Sequence, residues 1–272
     1  MTYKLVCTDI DGTLLDIHKD VSIATIHAFN QVKNKNIPII LVSARMPKQM
    51  RHIQEKLGVK GCSMICYNGG LLLSGNTVID STEIPLSIVK KISAFNKTLE
   101  NHLHLSLFYN DEWYAPQYDY WAKREENNTK ASPEIKSNDD VLTDWTKRNI
   151  GAHKIMCMGD AEIADQMFTY LKKNFDEQLH IYRSKDTYIE IANKTISKLT
   201  GIEKLLAHDH PELTVANVVA YGDNYNDTEM IKAVGYGVAV ANAREEVKAV
   251  AKAITASNIE DGVAKSLLQL FN

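Results

Sequence analysis

Two aspartates near the start of the chain carry the first chemical signal in this sequence. Asp9 and Asp11 follow the apolar run KLVCT and precede Gly12 and Thr13. Asp and Gly are common in turns, which accounts well for one carboxylate at this place and less well for two. Alternate side chains of an extended segment share a face, and two carboxylates on one face repel each other unless a positive charge lies between them. The pair therefore predicts a bound cation, provided that the chain supplies further ligands.

Polar side chains also follow three other apolar runs, IPIILV, CSMICY and VANVVAY. Because ligands bind at the carboxyl ends of the strands in open α/β sheets, we expect these side chains to gather at one edge. Carboxylates from different strand ends offer the hard oxygen ligands that suit Mg²⁺, and no His or Cys joins them, which argues against a transition metal. The residues expected there with Asp9 and Asp11 are Ser43, Arg45, Asn68, Gly69, Asp223, Asn226 and Asp227.

Such a set of residues suits phosphoryl transfer. Beside a divalent cation, an aspartate such as Asp9 can attack phosphorus and form an aspartyl phosphate. A second carboxylic acid must protonate the departing oxygen and then take a proton from water, and Asp11 is spaced for that task. A hydroxyl and a lysine can hold the remaining phosphoryl charge, as Ser43 and Lys198 could. Lys198 has a competing interpretation, because a lysine in the first turn of an amphipathic helix is more often solvated than functional.

The elements that must position these residues are read from the hydrophobic pattern. The four apolar runs and a fifth, GYGVAVA, are typical of strands covered on both faces, as in parallel sheets. Stretches with helical spacing lie between them, one beginning after the predicted N-cap Ser22 and another ending at Gly58. Alternating strands and helices predict an α/β fold with a Rossmann-like parallel-sheet core.

The middle of the chain breaks this alternation. From about residue 83 to 187 the pattern indicates a helix, a hairpin, an aromatic and polar stretch, a strand, a helix and two more strands. This order is typical of an α+β unit with its own core. We therefore predict a core made of residues 1–82 and 188–272, with an α+β domain inserted at residues 83–187.

The composition excludes several classes of function. The 272 residues include 31 Lys and Arg against 34 Asp and Glu, a net charge of −3, whereas nucleic-acid-binding domains are usually basic. No apolar run approaches the length of a membrane span, and no signal peptide is visible. We expect a cytoplasmic protein that binds neither nucleic acid nor membrane. The four cysteines form no CxxC pair and are expected to be small core residues.

The order of the motifs resembles a known family. DIDGT, SAR, a later lysine and GDNYND look like the four motifs of the haloacid dehalogenase superfamily of phosphohydrolases. The insertion between the second and third motifs resembles the Cof-type branch, a subfamily with sugar-phosphatase-like members. This resemblance implies that residues 83–187 are a cap domain that governs substrate specificity. The segment VAVANAREEVKAVA followed by TASNIEDGVAKSLLQL is similar to the family's closing segment. The resemblance covers the core on both sides of the insertion, while the cap matches only in its pattern of elements.

The resemblance implies a role for each matching residue. Asp9 would be the nucleophile and a Mg²⁺ ligand, and Asp11 the general acid and base as well as a ligand through its backbone carbonyl. Asp223 would bind Mg²⁺, and Asp227 would orient the metal's waters or Lys198. The residues implied to bind the phosphoryl group are Ser43, Lys198 and Asn226, and the candidates for substrate contact are Arg45, Asn68 and Gly69.

The second motif departs from the family pattern, which usually reads Thr-Gly-Arg and here reads Ser43-Ala44-Arg45. Serine keeps the hydroxyl, so the chemistry is expected to survive. Alanine does not easily adopt a positive φ, so we expect the loop to lie differently around the phosphate.

The sequence thus predicts a Mg²⁺-dependent phosphatase, a phosphoric monoester hydrolase, for small phosphorylated metabolites, with sugar phosphates as the first class. Three alternatives stay open. They are a phosphatase of a phosphorylated cofactor such as a flavin or pyridoxal phosphate, a mutase that uses the same residues, and a non-catalytic sensor that binds a phosphometabolite. The intact set of Asp9, Asp11, Lys198 and Asp223 argues against the sensor. We expect a monomer or a weak homodimer.

Overall fold

The computed structural model describes residues 3–271. The chain forms two compact units, one made of the segments up to Ser81 and from Ser197 onward, the other made of Thr82–Ile196. We call them the core unit and the inserted unit. Within the described residues, no helix is both long and apolar enough to cross a membrane.

The first segment of the core unit alternates buried strands with helices. The first three strands are buried along their whole length, as their continuous apolar runs predict. Ser22 caps the first helix by accepting the N–H of Thr25, and Gly58 follows the second helix with a φ of 66°, a conformation common at helix ends. The elements are β1 (Leu5–Thr8), α1 (Ile23–Asn34), β2 (Ile39–Val42), α2 (Pro47–Lys56), β3 (Met64–Cys66), β4 (Leu71–Ser74) and β5 (Thr77–Ser81).

The inserted unit follows directly and contains both helices and strands. Its elements are α3 (Leu86–Asn96), β6 (His104–Tyr109), β7 (Glu112–Ala115), α4 (Tyr120–Thr129), β8 (Glu134–Ile135), α5 (Asn138–Arg148), β9 (Lys154–Met158), α6 (Ala161–Phe175), β10 (Leu179–Lys185) and β11 (Tyr188–Asn193).

The second segment of the core unit resumes the alternation of helices and strands. Its elements are α7 (Lys198–Asp209), β12 (Val218–Gly222), α8 (Thr228–Ala233), β13 (Tyr236–Val240), α9 (Glu245–Val250), β14 (Ala253–Thr255) and α10 (Gly262–Leu270).

The core sheet brings the predicted strand ends together. Its strand order is β14-β13-β12-β1-β2-β3-β4-β5. The pairs from β14 to β3 are parallel, while β4 and β5 form an antiparallel extension at one edge. Strand β1 lies between β12 and β2, so the residues after these three strands emerge side by side at one edge of the sheet. The predicted α/β core with a parallel sheet is confirmed.

The inserted unit is built on a second sheet with the order β10-β11-β9-β6-β7-β8. All of its pairs are antiparallel except β7 with β8. Apolar residues of α3, α5 and α6 are buried with one set of alternate strand residues in a separate hydrophobic core, which includes Ile92, Leu105, Trp145, Ile155 and Met167. The inserted segment is therefore an α+β unit with its own core.

The second predicted boundary was misplaced. It was set between residues 187 and 188, whereas the inserted unit extends to Ile196. The reason is strand pairing, because β11 is hydrogen-bonded to both β10 and β9 in the inserted sheet. The hairpin β4–β5 and the helices α4 and α5 were not predicted.

Candidate active site

Asp9 follows the central strand β1 and continues its pairing with β12. Its backbone N–H donates to the carbonyl of Tyr221 at 3.0 Å. Only 5% of Asp9 is exposed, and its Oδ1 lies 2.5 Å from Nζ of Lys198. The predicted nucleophile is therefore a buried carboxylate at the carboxyl end of the central strands.

Lys198 is the first residue of α7, and its side chain is buried. Ser197 caps this helix by accepting the N–H of Thr200 at 3.2 Å. Lys198 is 1% exposed, and its Nζ donates to Asp9 at 2.5 Å and to Asp227 at 2.6 Å. Burial alone would lower the pKa of Lys198, but the carboxylates of Asp227 and Asp9 raise it above its usual value, so the ammonium is retained. The interpretation of Lys198 as a solvated lysine is wrong.

Asp227 is fully buried and uses both carboxylate oxygens. Oδ1 accepts from Lys198, and Oδ2 accepts the backbone N–H groups of Asp223 and Asn224, each at 3.0 Å. Gly222 permits this close turn, because a Cβ there would lie 2.5 Å from Cβ of Asp227. Asp227 therefore fixes the loop that carries Asp223. It also contacts Lys198, and orienting Lys198 was one of the two roles predicted for Asp227.

Asp223 completes a cluster of three carboxylates. Oxygen atoms of Asp9, Asp223 and Asp227 lie within 4.8 Å of one another, and Oδ1 of Asp223 accepts the hydroxyl hydrogen of Thr13 at 2.8 Å. Burial and the charge of Asp227 raise the pKa of Asp223 to about 6. Burial also raises the pKa of Asp9 well above its usual value, and the neighbouring carboxylates add to this effect against the attraction of Lys198.

The charge of this cluster fits a divalent cation. Among the described residues, this cluster sets three carboxyl groups against one ammonium, that of Lys198, so with all three ionised it would carry two unbalanced negative charges. Burial is the main cause of the raised pKa values of Asp9 and Asp223, and the neighbouring carboxylates add to it. Mg²⁺ takes carboxylate oxygens of this kind as ligands. Asp9 and Asp223 would hold such an ion. The side chain of Asp11 lies outside the cluster, so its role as a ligand through the backbone carbonyl stays a prediction.

Asp11 is held by an arginine. Its Oδ2 accepts from Nε of Arg45 at 2.7 Å and its Oδ1 accepts from Nη2 at 2.8 Å, while Nζ of Lys19 lies 3.6 Å away. Arg45 is buried and also donates to the carbonyl of Gln49. Burial alone would raise the pKa of Asp11, but the hydrogen bonds and charge of Arg45 lower it overall. The predicted general acid is therefore ionised here, and the candidate substrate contact Arg45 is its partner.

Ser43 is buried just after β2. Its backbone N–H donates to the carbonyl of Ile65 at 2.9 Å, and its Oγ accepts the N–H of Arg45 at 3.2 Å. Among the described residues, Ala44 is not one of those with a positive φ. The backbone at this position therefore does not need a residue that favours a positive φ. Alanine here requires no change of loop geometry.

Asn226 and Asn68 lie together in the site. Nδ2 of Asn226 donates to Oδ1 of Asn68 at 3.0 Å, and Asn68 has a φ of 56°. Gly69, with a φ of 100°, has a packing role, because a Cβ there would lie 2.3 Å from the carbonyl oxygen of Ser197. Because Gly69 has no side chain, the start of α7, which carries Lys198, can pack closely against this loop. The phosphoryl contact of Asn226 and the substrate contacts of Asn68 and Gly69 stay predictions.

Thr13 and Asn242 belong to the site but were not predicted to do so. Thr13 contacts Asp223, and Nδ2 of Asn242 donates to the carbonyl of Gly12 at 2.7 Å. Thr13 lies inside the DIDGT motif, and Asn242 comes shortly after the apolar run GYGVAVA. The rule that selected residues at the other strand ends, applied to β13, selects Asn242 as well.

Comparison with known proteins shows the family. The model of the haloacid dehalogenase-like hydrolase family matches residues 6–267. A "Putative phosphatase" of Haemophilus influenzae is 32% identical over 275 residues, which cover 100% of this chain and 99% of that protein. The 5-amino-6-(5-phospho-D-ribitylamino)uracil phosphatase of Bacillus subtilis is 28% identical over 97% of this chain and 94% of its own length.

A solved structure supports the same assignment. The crystal structure of a haloacid dehalogenase-like hydrolase from Bacteroides thetaiotaomicron superposes with a TM-score of 0.89 at 28% identity and covers 98% of this chain and 99% of its own. The predicted family is thereby confirmed, together with the predicted class of enzyme, a phosphoric monoester hydrolase. The chain belongs to the haloacid dehalogenase-like hydrolase family.

Proposed function

We propose that the protein is a Mg²⁺-dependent phosphatase of small phosphorylated metabolites, with sugar phosphates as the first class. The observation that carries the proposal is the cluster of Asp9, Asp223 and Asp227, in which three carboxyl groups face one ammonium, that of Lys198, which contacts Asp9 and Asp227. Burying an excess of carboxylates is costly in a fold unless a cation compensates their charge, and such clusters are common at functional sites. The resemblance to the Cof-type branch supports the choice of sugar phosphates.

In the first step, a carboxylate oxygen of Asp9 attacks the phosphorus atom. The bond from phosphorus to the ester oxygen breaks, and that oxygen leaves with a proton from Asp11. A bound divalent cation would screen the repulsion between the Asp9 carboxylate and the phosphoryl oxygens. Lys198, at 2.5 Å from Asp9, supplies fixed positive charge at the same place.

In the second step, water attacks the phosphorus of the aspartyl phosphate. The proton of the water passes to the carboxylate of Asp11, the bond to Asp9 breaks, and inorganic phosphate leaves. The ion pair with Arg45 suits Asp11 to this basic role, because the pKa of Asp11 is lowered. Its acidic role in the first step requires that Asp11 separate from Arg45 when substrate binds.

Three side chains supply hydrogen-bond donors for the phosphoryl oxygens. The hydroxyl of Ser43, the amide of Asn226 and the ammonium of Lys198 all belong to loops or helix starts at the same edge of the core sheet. Donors fixed in this way stabilise the charge that develops on phosphoryl oxygens without reorganising during the reaction.

A phosphorylated cofactor precursor is the second candidate for the substrate. Two relatives from Bacillus subtilis, at 28% and 24% identity, are named as 5-amino-6-(5-phospho-D-ribitylamino)uracil phosphatases. That compound joins a phosphorylated sugar-alcohol chain to a heterocycle, so it combines both predicted classes of leaving group.

The proposal is tested by release of inorganic phosphate from a panel of sugar phosphates, phosphorylated cofactors and the ribitylaminouracil phosphate. Wild type and Asp9→Asn are assayed with Mg²⁺ and with a chelator. We expect release that requires Mg²⁺ and is lost in Asp9→Asn. Tight binding of a phosphometabolite without release would support the sensor, and release that persists in chelator would remove Mg²⁺ from the account.

A further inference from the structure

The segment after β13 contacts both loops that carry the acidic cluster. Nδ2 of Asn242 donates to the carbonyl of Gly12 in the first loop at 2.7 Å. Two residues later, the backbone N–H of Arg244 donates to the carbonyl of Asp223 in the second loop at 2.9 Å. One short segment therefore holds a backbone carbonyl of each loop.

The other end of the Asn242 amide is also occupied. Its Oδ1 accepts the backbone N–H of Asn258 at 2.9 Å, and Nδ2 of Asn258 donates to the carbonyl of Leu15 at 2.7 Å. Two linked asparagines thus hold the first loop at Gly12 and again at Leu15. This orientation of the Asn242 amide is fixed by a donor on one side and an acceptor on the other.

The turn that Asn242 holds lies against Asp223. A Cβ on Gly12 would lie 2.5 Å from Oδ2 of Asp223, and Gly12 has a φ of 84°. The next residue, Thr13, donates its hydroxyl hydrogen to Oδ1 of the same carboxylate at 2.8 Å. Because the packing is this close, a shift of the Gly12 turn must move the carboxylate of Asp223 or lose the Thr13 hydrogen bond.

The second loop is held by the same segment through Arg244. Its Nε donates to Oδ1 of Asn224 at 2.8 Å, and its guanidinium lies 4.4 Å from the ring centroid of Tyr225. Asn224 and Tyr225 directly follow Asp223. The two loops are therefore connected through residues 242–244.

We propose that Asn242 is a positioning residue for the cation site. It holds the Gly12 turn so that the carboxylate of Asp223 faces those of Asp9 and Asp227 before an ion arrives. Side chains that orient metal ligands in this way typically change metal affinity by about 10- to 100-fold when they are removed. The inference rests on the proposed function only in requiring that this cluster bind Mg²⁺.

The test measures Mg²⁺ binding directly, by isothermal titration calorimetry of substrate-free protein. Asn242→Ala is expected to weaken the Kd for Mg²⁺ by roughly 10-fold. The matched control is Asn174→Ala in the inserted unit, because Asn174 is also exposed and its Nδ2 also donates to a backbone carbonyl, that of Tyr170, at 2.8 Å. Asn174→Ala should leave the Kd unchanged. In chelator, the Tm of the two variants should differ from that of the wild type by similar small amounts.

The outcomes separate this inference from the proposed function. A wild type that binds Mg²⁺ with an Asn242→Ala variant of equal Kd would overturn the inference and leave the proposed function standing. A wild type that binds no Mg²⁺ would overturn both. If Asn242→Ala does not fold, Asn258→Ala decides, since it removes the bond to Leu15 but keeps the backbone bond to Asn242. For Asn258→Ala, a loss of Mg²⁺ affinity smaller than the roughly 10-fold loss expected for Asn242→Ala supports the inference. An unchanged Mg²⁺ affinity overturns it.

Discussion

The two units of this protein bury polar side chains in opposite ways. The core unit buries charge, since Asp9, Lys198 and Asp227 form a linked group in which all three residues are at most 5% exposed. The inserted unit buries mostly neutral polar groups, and the ammonium of its buried Lys154 lies over the ring of Phe108. In each unit the buried polar groups lie within an otherwise apolar interior. The comparison therefore separates buried polar groups that stabilise the fold from buried charged groups that serve the chemistry.

One buried network of the inserted unit pairs each of its polar side chains with a neighbour and ends at the carboxylate of Asp119. Nε1 of Trp113 donates to Oγ of Ser106 at 3.0 Å, which lies 2.9 Å from Nε2 of His104, and Nδ1 of His104 lies 2.8 Å from Asp119. Burial lowers the pKa of His104 in spite of Asp119. The order of Ser, His and Asp is that of a hydrolase triad, but Ser106 is completely buried. The network therefore joins β6, β7 and the N-cap of α4, and its role is structural.

In the acidic cluster of the core unit, the negative and positive side chains are not balanced in number. Burying carboxylates and an ammonium costs free energy that hydrogen bonding only partly offsets, and here the carboxylates outnumber the ammonium. Changes in the core cluster should therefore act on activity and metal binding as well as on stability, whereas changes in the inserted unit should act on stability. The predictions below test this contrast.

The largest effect is expected from Asp9→Asn. Phosphatase activity should fall by roughly 10⁴-fold or more, because the variant lacks the nucleophile. Without metal, its Tm should equal or exceed that of the wild type, because the variant removes a buried carboxylate with a raised pKa. Phosphate release and calorimetry in chelator measure the two quantities. Residual activity within about tenfold of the wild type would remove Asp9 from the nucleophilic role.

The next largest effect is expected from Lys198→Met. Removing the ammonium leaves the carboxylates of Asp9 and Asp227 uncompensated and should lower the free energy of unfolding at pH 7 by about 3–5 kcal/mol. The matched control on the same helix is Lys204→Met, whose ion pair with Asp80 is half exposed. That control should lose less than about 1 kcal/mol. Urea unfolding in chelator, followed by circular dichroism, compares the two.

Acid should reduce the loss of unfolding free energy that Lys198→Met causes. The pKa of Asp9 is raised and that of Asp223 is about 6 in the folded wild type. Lys198 lowers the pKa of Asp9 in the wild type, so that pKa should be higher still in the variant. As the pH falls from 7 to 5, the folded variant should therefore take up more protons than the folded wild type does, and acid should favour its folding more. A loss that stays the same at both pH values would contradict this account of the cluster.

The inserted unit should become less stable in acid through His153. Burial lowers the pKa of His153 to about 4, whereas the unfolded chain takes up this proton near pH 6.5. Stability is therefore present above pH 6.5 and is lost as the pH falls, by about 1.5 kcal/mol between pH 6.5 and 5. The three tryptophans, Trp113, Trp121 and Trp145, all lie in the inserted unit, so their fluorescence reports its unfolding.

The matching variant is His153→Gln, which removes the titrating group but keeps an acceptor for the N–H of Asn110. The dependence of its unfolding free energy on pH between 6.5 and 5 should be flatter than that of the wild type. An equal slope in both proteins would assign the acid sensitivity to other groups.

The smallest effect is expected from Arg45→Met and concerns the pH profile. Without Arg45 the pKa of Asp11 should rise, so the basic limb of kcat/KM, above which Asp11 is ionised and cannot protonate the leaving oxygen in the first step, should move to higher pH. Lys19→Met is the control, because Lys19 lies 3.6 Å from Asp11 and is partly exposed. A larger shift in the control than in Arg45→Met would contradict the assignment of Arg45 as the main partner.

The sequence predicted the parts of this molecule that depend on local pattern. The strands β1, β2, β3, β12 and β13 are continuous apolar runs, and residues after them gather because parallel strands share one edge. The hairpin β4–β5 and the helices α4 and α5 were missed. Helices α4 and α5 are rich in charged and amide residues and bury few positions, so their periodicity is weak.

Long-range pairing was beyond reach from the sequence. The burial of Lys198 depends on Asp9, 189 positions away, and the bond of Asp11 to Arg45 spans 34 positions. Neither separation leaves a local trace. The second boundary failed for the same reason, since only the pairing of β11 with β9 shows that the inserted unit continues to Ile196.

The central claim is that Asp9 becomes phosphorylated, and mass spectrometry of the Asp11→Asn variant tests it most directly. The variant is mixed with Mg²⁺ and acetyl phosphate, whose leaving group needs no proton, then quenched with acid and digested. Because the amide that replaces the Asp11 carboxylate cannot take the proton from water, the account predicts a phosphoryl group that accumulates on Asp9. A phosphoryl group on another residue, or turnover of acetyl phosphate with none on Asp9, would contradict the account.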